Sequence, residues 1–153
     1  MRLLITACTA GLLSLSVAAP VAADGHIGAA IKERQSIMKG YGKNLGVLGD
    51  MAKGAKPYDA TAAQAAADAL AKLANMDQSN LWPVGSDTSV KGSRALPKLW
   101  DNLPDVVKIA GNLASASTAM AAVASDGLPA VQGAMGGIGQ TCGSCHKAYR
   151  QPK

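Results

Sequence analysis

Cys142-Gly143-Ser144-Cys145-His146, close to the end of a 153-residue chain, is the stretch whose reading decides the fold. C-x-x-C-H is the attachment signature of a c-type haem: two thiols add to the porphyrin, and the following imidazole coordinates the iron. On a helix, Cys142 and Cys145 lie one turn apart, and His146 continues the same face. The motif therefore fixes one side of an iron and leaves the other side open. Other uses of the pattern are weaker. A thioredoxin-like redox pair needs a βαβ setting, and no strand-like alternation surrounds the motif. A structural zinc site needs four ligands, and adjacent Cys145 and His146 would strain to share one tetrahedral ion. A Cys142–Cys145 disulfide is an alternative for an exported chain before haem attachment.

Haem attachment of this type takes place outside the cytoplasm, and the N-terminus meets that condition. Arg2 is a charged start, Leu3 to Val17 is an apolar run, and Val21-Ala22-Ala23 is a small-residue cleavage site before Asp24. Thr, Ser and Gly interrupt the run, so it is a poor membrane span. Cys8 lies too near the start for a lipoprotein signal. Residues 1–23 are read as a cleaved leader and residues 24–153 as a single domain, with no membrane insertion after cleavage. Without Arg2 and Cys8, the fifteen basic and ten acidic side chains become a formal +4, and the two remaining cysteines are those of the motif. No disulfide framework is left. The charge is too modest, and too little interleaved with aromatics, for nucleic acid. It suits a solvated surface or docking to an acidic redox partner.

The composition also points to a cofactor. The chain has no Phe, two Trp, three Tyr and long Ala-rich stretches. Small side chains bury little apolar area each, and a large flat group would supply the missing surface. Four helical segments follow. The first covers about residues 27–53, with Ile27, Ile31, Met38, Leu45 and Leu48 near helical spacing. Gly40, Gly42, Gly46 and Gly49 weaken it and point to close approach of a neighbour. Asp59 or Thr61 caps a second helix reaching about Met76, with Ala63, Ala66, Ala67, Leu70, Leu73 and Ala74 inward. Residues 77–95 read as a long loop. A third helix opens near Pro97, with an inward row of Leu99, Leu103, Val106, Ala110, Leu113, Ser117, Met120 and Ala124. Pro104 kinks it or marks a late start. Asp126-Gly127 turns into a fourth helix, with Pro129 in its first turn, which carries the motif. The fold class expected is all-α, an antiparallel four-helix bundle.

A C-terminal C-x-x-C-H on the last helix of such a bundle resembles the class II c-type cytochromes. These are cytochrome c-prime and its low-spin relatives of the cytochrome c-556 type. The resemblance runs through Arg34-Gln35-Ser36-Ile37-Met38, Gly54-Ala55-Lys56-Pro57-Tyr58-Asp59, Pro97-Lys98-Leu99-Trp100 and the nonapeptide from Cys142 to Arg150. It implies one covalent haem c held by Cys142 and Cys145, with His146 as proximal iron ligand. It also implies that Met38 stands on the distal side. In low-spin members a Met there binds iron; in high-spin members a non-coordinating residue leaves the iron five-coordinate and open to small gases. From the residues alone, Met51, Met76, Met120 and Met135 compete equally with Met38, and core packing is the plain use of any Met. His26 is a rival ligand at the frayed start of the mature chain.

Arg34, one turn before Met38, and Arg150, one turn after His146, are candidates for haem-edge or propionate contacts. A solvated arginine, or a cation at a helix C-terminus, is the plain alternative. Tyr149 is expected near the ring edge. The reading of the whole is a periplasmic electron carrier with His146/Met38 ligation, not an enzyme, with redox-protein partners and a monomeric or homodimeric state. The alternative is a five-coordinate cytochrome c-prime that binds NO or CO. A haem-free bundle held by zinc or a disulfide is the third.

Overall fold

Four long helices and one short one account for most of the chain. The structure is a computed structural model that describes residues 21–152, with side chains from residue 25. The helices are α1 (Val21–Ala52), α2 (Ala60–Ala74), α3 (Lys98–Asp101), α4 (Leu103–Val123) and α5 (Leu128–Tyr149), with a single 3-10 turn at Ser79–Leu81. Among the described residues there is no strand, only an isolated antiparallel bridge between Ala95 and Arg150. α1 and α4 each pack on both α2 and α5, so they stand diagonally across an antiparallel four-helix bundle. Of the expected leader, residues 1–23, the first twenty lie outside the described residues; α1 begins at Val21, ahead of Asp24.

Local chemistry places the helix ends where the sequence puts them. Asp59 caps α2, its Oδ1 accepting from the Ala62 N–H at 2.9 Å. Pro104 and Pro129 each sit in the first turn of a helix, where the missing N–H costs nothing. Gly127 holds φ at +120°, which a side chain would resist, and so makes the sharp α4–α5 turn. Tyr58 ties that turn to the α1–α2 turn: its hydroxyl donates to Ala124 O at 2.8 Å and accepts from Gly127 N–H at 3.1 Å.

Several expectations are corrected. The third helix is two pieces, because Asn102 leaves the helical region and α4 restarts at Leu103 with Pro104 behind it. Within the inward row, Leu99, Ser117, Met120 and Ala124 are buried, whereas Leu103 and Ala110 are exposed. On α1 the buried stripe is Ile31, Ile37, Tyr41, Leu48 and Met51, and Met38 lies off it. Only part of the glycine expectation holds. A methyl group on Gly40 would stand 2.8 Å from Leu73 Cδ1, so Gly40 does admit α2 closely, while Gly42 and Gly46 face open space.

The fully buried apolar side chains Leu48, Leu70, Met120, Val131 and Ile138 line the middle and far parts of the bundle, and Leu99 of α3 is fully buried at the motif end. α4 is long and apolar enough to cross a membrane by length and composition, with a mean hydropathy of 1.3, and it runs along α2 and α5 here. Ser117 Oγ is buried without a hydrogen-bond partner. Two stability measurements by denaturant unfolding test this core. Leu70→Ala should lose about 2–5 kcal/mol by opening a cavity, whereas Ser117→Ala should gain about 1 kcal/mol by removing an orphaned hydroxyl.

Candidate haem site

The motif occupies the last two turns of α5, where no Pro or strained residue interrupts the helix. Cys142, Cys145 and His146 are all half-buried on it, and both thiols are free. Burial pushes both thiols above their ordinary pKa; at Cys145, the Cys142 thiol and the Asp105 carboxylate add to the rise. His146 is held below its ordinary pKa by burial and by the nearby Arg150 and Arg94 cations. A neutral imidazole with a free lone pair, the form that binds metal, is therefore the favoured one near pH 7.

The chain beyond the helix is fastened to the long loop. Leu96 N–H donates to Tyr149 O at 2.9 Å and Gln151 N–H donates to Arg94 O at 2.8 Å, flanking the Ala95–Arg150 bridge. The Arg94 guanidinium also donates to Gln151 O. Tyr149 is buried, and its hydroxyl donates to Asp105 Oδ2 at 2.6 Å, pinning the start of α4 to the end of α5. Arg150 is exposed, with its N–H on His146 O at 3.3 Å.

The register of α1 on α5 decides which residues face the motif. Gln132 Nε2 donates to Ala52 O at 2.8 Å, and Met135 Cε would lie 3.9 Å from a methyl group on Gly49. Further along, Tyr41 lies close enough to Cys142 for the thiol to help burial raise its pKa. Continuing this antiparallel pairing by one turn brings Met38 level with Cys145 and His146. Met38 is 40% exposed, although its neighbours Ile37 and Tyr41 are buried. Met51 and Met120 are buried in the opposite half, and Met135 is level with Gly49, so none of these faces the motif. Met76, just past α2, is also exposed at the motif end. His26 is exposed near the start of α1.

Arg34 is not a surface cation. It is 6% exposed, with Nη1 donating to Ser86 Oγ at 3.0 Å and Nη2 to Ser86 O at 2.8 Å. Its guanidinium lies 4.5 Å from the centre of the Trp82 ring. Burial lowers its pKa. Trp82 meets Trp100 edge-to-face at 6.5 Å, and Trp100 Nε1 donates to Trp82 O at 3.0 Å. Arg34 thus locks the loop onto α1. Sequence reading missed Ser86, Trp82, Arg94 and Asp105 in these roles. Their partners lie dozens of residues away, and no local spacing signals them.

The residues fit a haem. Large exposed apolar side chains are Met38 on α1, Met76 after α2, Val84 in the loop, and Leu103 and Val107 at the start of α4. All five belong to the end of the bundle that carries the motif. Apolar surface left uncovered there suits a flat macrocycle tethered at Cys142 and Cys145.

The family described as Cytochrome C' matches residues 29–150. The chain belongs to the cytochrome c' family. A cytochrome c-554 of Cereibacter sphaeroides is 39% identical over 122 residues, covering 79% of this chain and 80% of that one. A cytochrome c' of Allochromatium vinosum is 33% identical over 154 residues, covering 98% and 99%. The solved cytochrome c' from Rhodobacter Spheriodes matches with a TM-score of 0.80 at 30% identity, covering 83% of this chain and 98% of that one. A ferrous variant of the Alcaligenes xylosoxidans cytochrome c', solved with bound NO, matches with a TM-score of 0.72 at 26% identity, covering 83% and 97%. Cytochromes of this family bind one covalent haem c, and dimers occur among them.

Two measurements probe these contacts. Ser86→Ala, which leaves an Arg34 donor unpaired in a buried place, should cost about 1–3 kcal/mol in denaturant unfolding. The Asp105 carboxylate holds the Tyr149 pKa above the ordinary value of 10.0. The stability from that bond is fully present below pH 10.0 and is lost as pH rises through the raised value. Tyr149→Phe should remove this alkaline loss and delete a late-titrating phenol from the ultraviolet titration.

Proposed function

We propose that this protein is an exported monohaem electron carrier, with the iron held by His146 on one face and by Met38 Sδ on the other. The observation that carries the reading is the α1–α5 register, which sets Met38 level with Cys145 and His146 while leaving its side chain outside the core. Cys142 and Cys145 are the thioether anchors. His146, kept neutral by burial and two nearby arginines, offers its lone pair. A bound haem supplies a centre that takes up and gives back one electron, and thioether ligation raises its potential. No second substrate is involved, so the role is transfer rather than catalysis. Export rests on the leader-like residues 1–23 and on the family, whose members are typically periplasmic.

The comparisons favour a second reading. The solved relatives named above are cytochromes c', and one of them holds NO. On that reading Met38 stands beside the iron without binding it, and the sixth position takes a small gas. Met at this position supports the first reading, and the kinship to cytochromes c' supports the second.

Absorption and magnetic spectra of both redox states, with and without CO, separate the two. His/Met ligation gives low-spin iron in the wild type. It also gives high-spin, CO-binding iron in Met38→Ala and an unchanged spectrum in Met76→Ala. A high-spin wild type that takes CO with no ligand to displace establishes the second reading instead.

A further inference from the structure

Arg34 is a buried cation that no carboxylate side chain of the described residues neutralises. It is 6% exposed, and the one ion pair among the described residues, Lys56 Nζ to Asp50 Oδ2 at 3.6 Å, lies at the other end of α1. The acids adjacent in sequence to Arg34 and to Ser86 are Glu33 and Asp87. Glu33 is exposed, and Asp87 Oδ1 accepts from the Ser89 N–H at 2.7 Å. Asp77, at the start of the loop, is turned in the same way to the Ser79 N–H at 2.9 Å. The partners of the guanidinium are all neutral: Ser86 Oγ, Ser86 O and the face of Trp82. They are themselves fixed, since Ser86 Oγ donates to Pro83 O and Ser93 Oγ donates to Ser86 O, each at 2.7 Å. Taking an unpaired charge out of water costs free energy, and replacing buried charges by apolar groups is often neutral or stabilising. Fastening the loop to α1 therefore does not by itself call for a cation.

What the charge acts on is one turn away. Arg34 and Met38 are four residues apart, so they share a face of α1 and are separated by about 6 Å of helix rise. Met38 is exposed at the motif end, whereas the loop covers Arg34. We infer that Arg34 is a redox-tuning residue: its buried positive charge, left without a carboxylate, favours the ferrous over the ferric state of an iron held by His146 and Met38. The inference rests on the electron-carrier reading and names the residue that biases the electron equilibrium of that site. Oxidation adds one positive charge at the iron, and a neighbouring cation opposes it. Two unit charges about 10 Å apart, at an effective dielectric of about 20, shift such an equilibrium roughly tenfold or more. Salt screens exposed charges strongly and buried ones much less, so the effect of Arg34 persists where that of a surface lysine fades.

The test uses the full haem-loaded protein. Its midpoint potential is measured by spectroelectrochemistry at about 0.01 M and about 1 M ionic strength, with the absorption spectrum recording the ligation. Arg34→Met should shift the equilibrium about tenfold toward ferric iron, or about 59 mV for one electron, at both salt concentrations. Arg34→Lys, which keeps the charge and loses the planar fork, should recover most of that shift. Ser86→Asp, which keeps Arg34 and sets a carboxylate against it, should move the potential in the same direction as Arg34→Met. Lys39→Met removes an exposed cation beside Met38, and its effect should vanish at high salt. A wild-type potential in Arg34→Met, or equal shifts in the Met and Lys variants, overturns the charge effect. High-spin iron appearing only in Arg34→Met also overturns it, and makes Arg34 a positioning residue for Met38. If Arg34→Met fails to hold haem, a wild-type potential in Ser86→Asp overturns the inference on its own. A high-spin wild type fails the His146/Met38 reading itself, and the potentials of the variants still show whether the charge acts on the iron.

Discussion

The antiparallel seating of α1 on α5 is the constraint on which the rest of the site depends. α5 carries three functional atoms in consecutive turns, but it can present them only to whatever the neighbouring helix places opposite. Contacts in the far half, Gln132 to Ala52 and Met135 beside Gly49, set that placement. A one-residue slip would rotate α1 by about 100° relative to α5 and carry Met38 away from the motif. The far end of the bundle, where Leu48 and Val131 are fully buried, therefore acts at a distance as the alignment device for the motif end.

Much of this was legible in the sequence, for identifiable reasons. The motif, the four segments and the Asp59 cap are signals of short range, each contained within a turn or two of helix. The α3–α4 break was readable from Pro104. What escaped is long-range. Periodicity counted Met38 and Leu103 as inward because both are apolar at the right spacing, yet both are exposed at the motif end. The pattern identified a face and missed the fact that half of that face is completed by a cofactor. Arg34 shows the reverse. Its charge suggests solvent, but Trp82 and Ser86, some fifty residues later, make a buried place for it.

The positions of the five exposed apolar side chains link composition to function. A chain without Phe and with Ala-rich helices has a modest core of its own. It leaves large apolar side chains uncovered at one end only. That end is the one bearing the two thiols, so the cofactor is a structural component of the bundle as well as its reactive centre.

The crossing of the loop with the C-terminal tail has a mechanical consequence. A small domain can secure its open end with a disulfide, but the two thiols among the described residues belong to the haem motif. Closure falls instead to a chain of non-covalent ties. Arg34 fixes the loop to α1, and residues 94–96 fix the same loop to residues 149–151 behind the motif. The loop is thus a hasp joining the first helix to the last. Its fastening draws on no sulfur chemistry, so reducing conditions that would open a cystine-stapled domain leave this end shut.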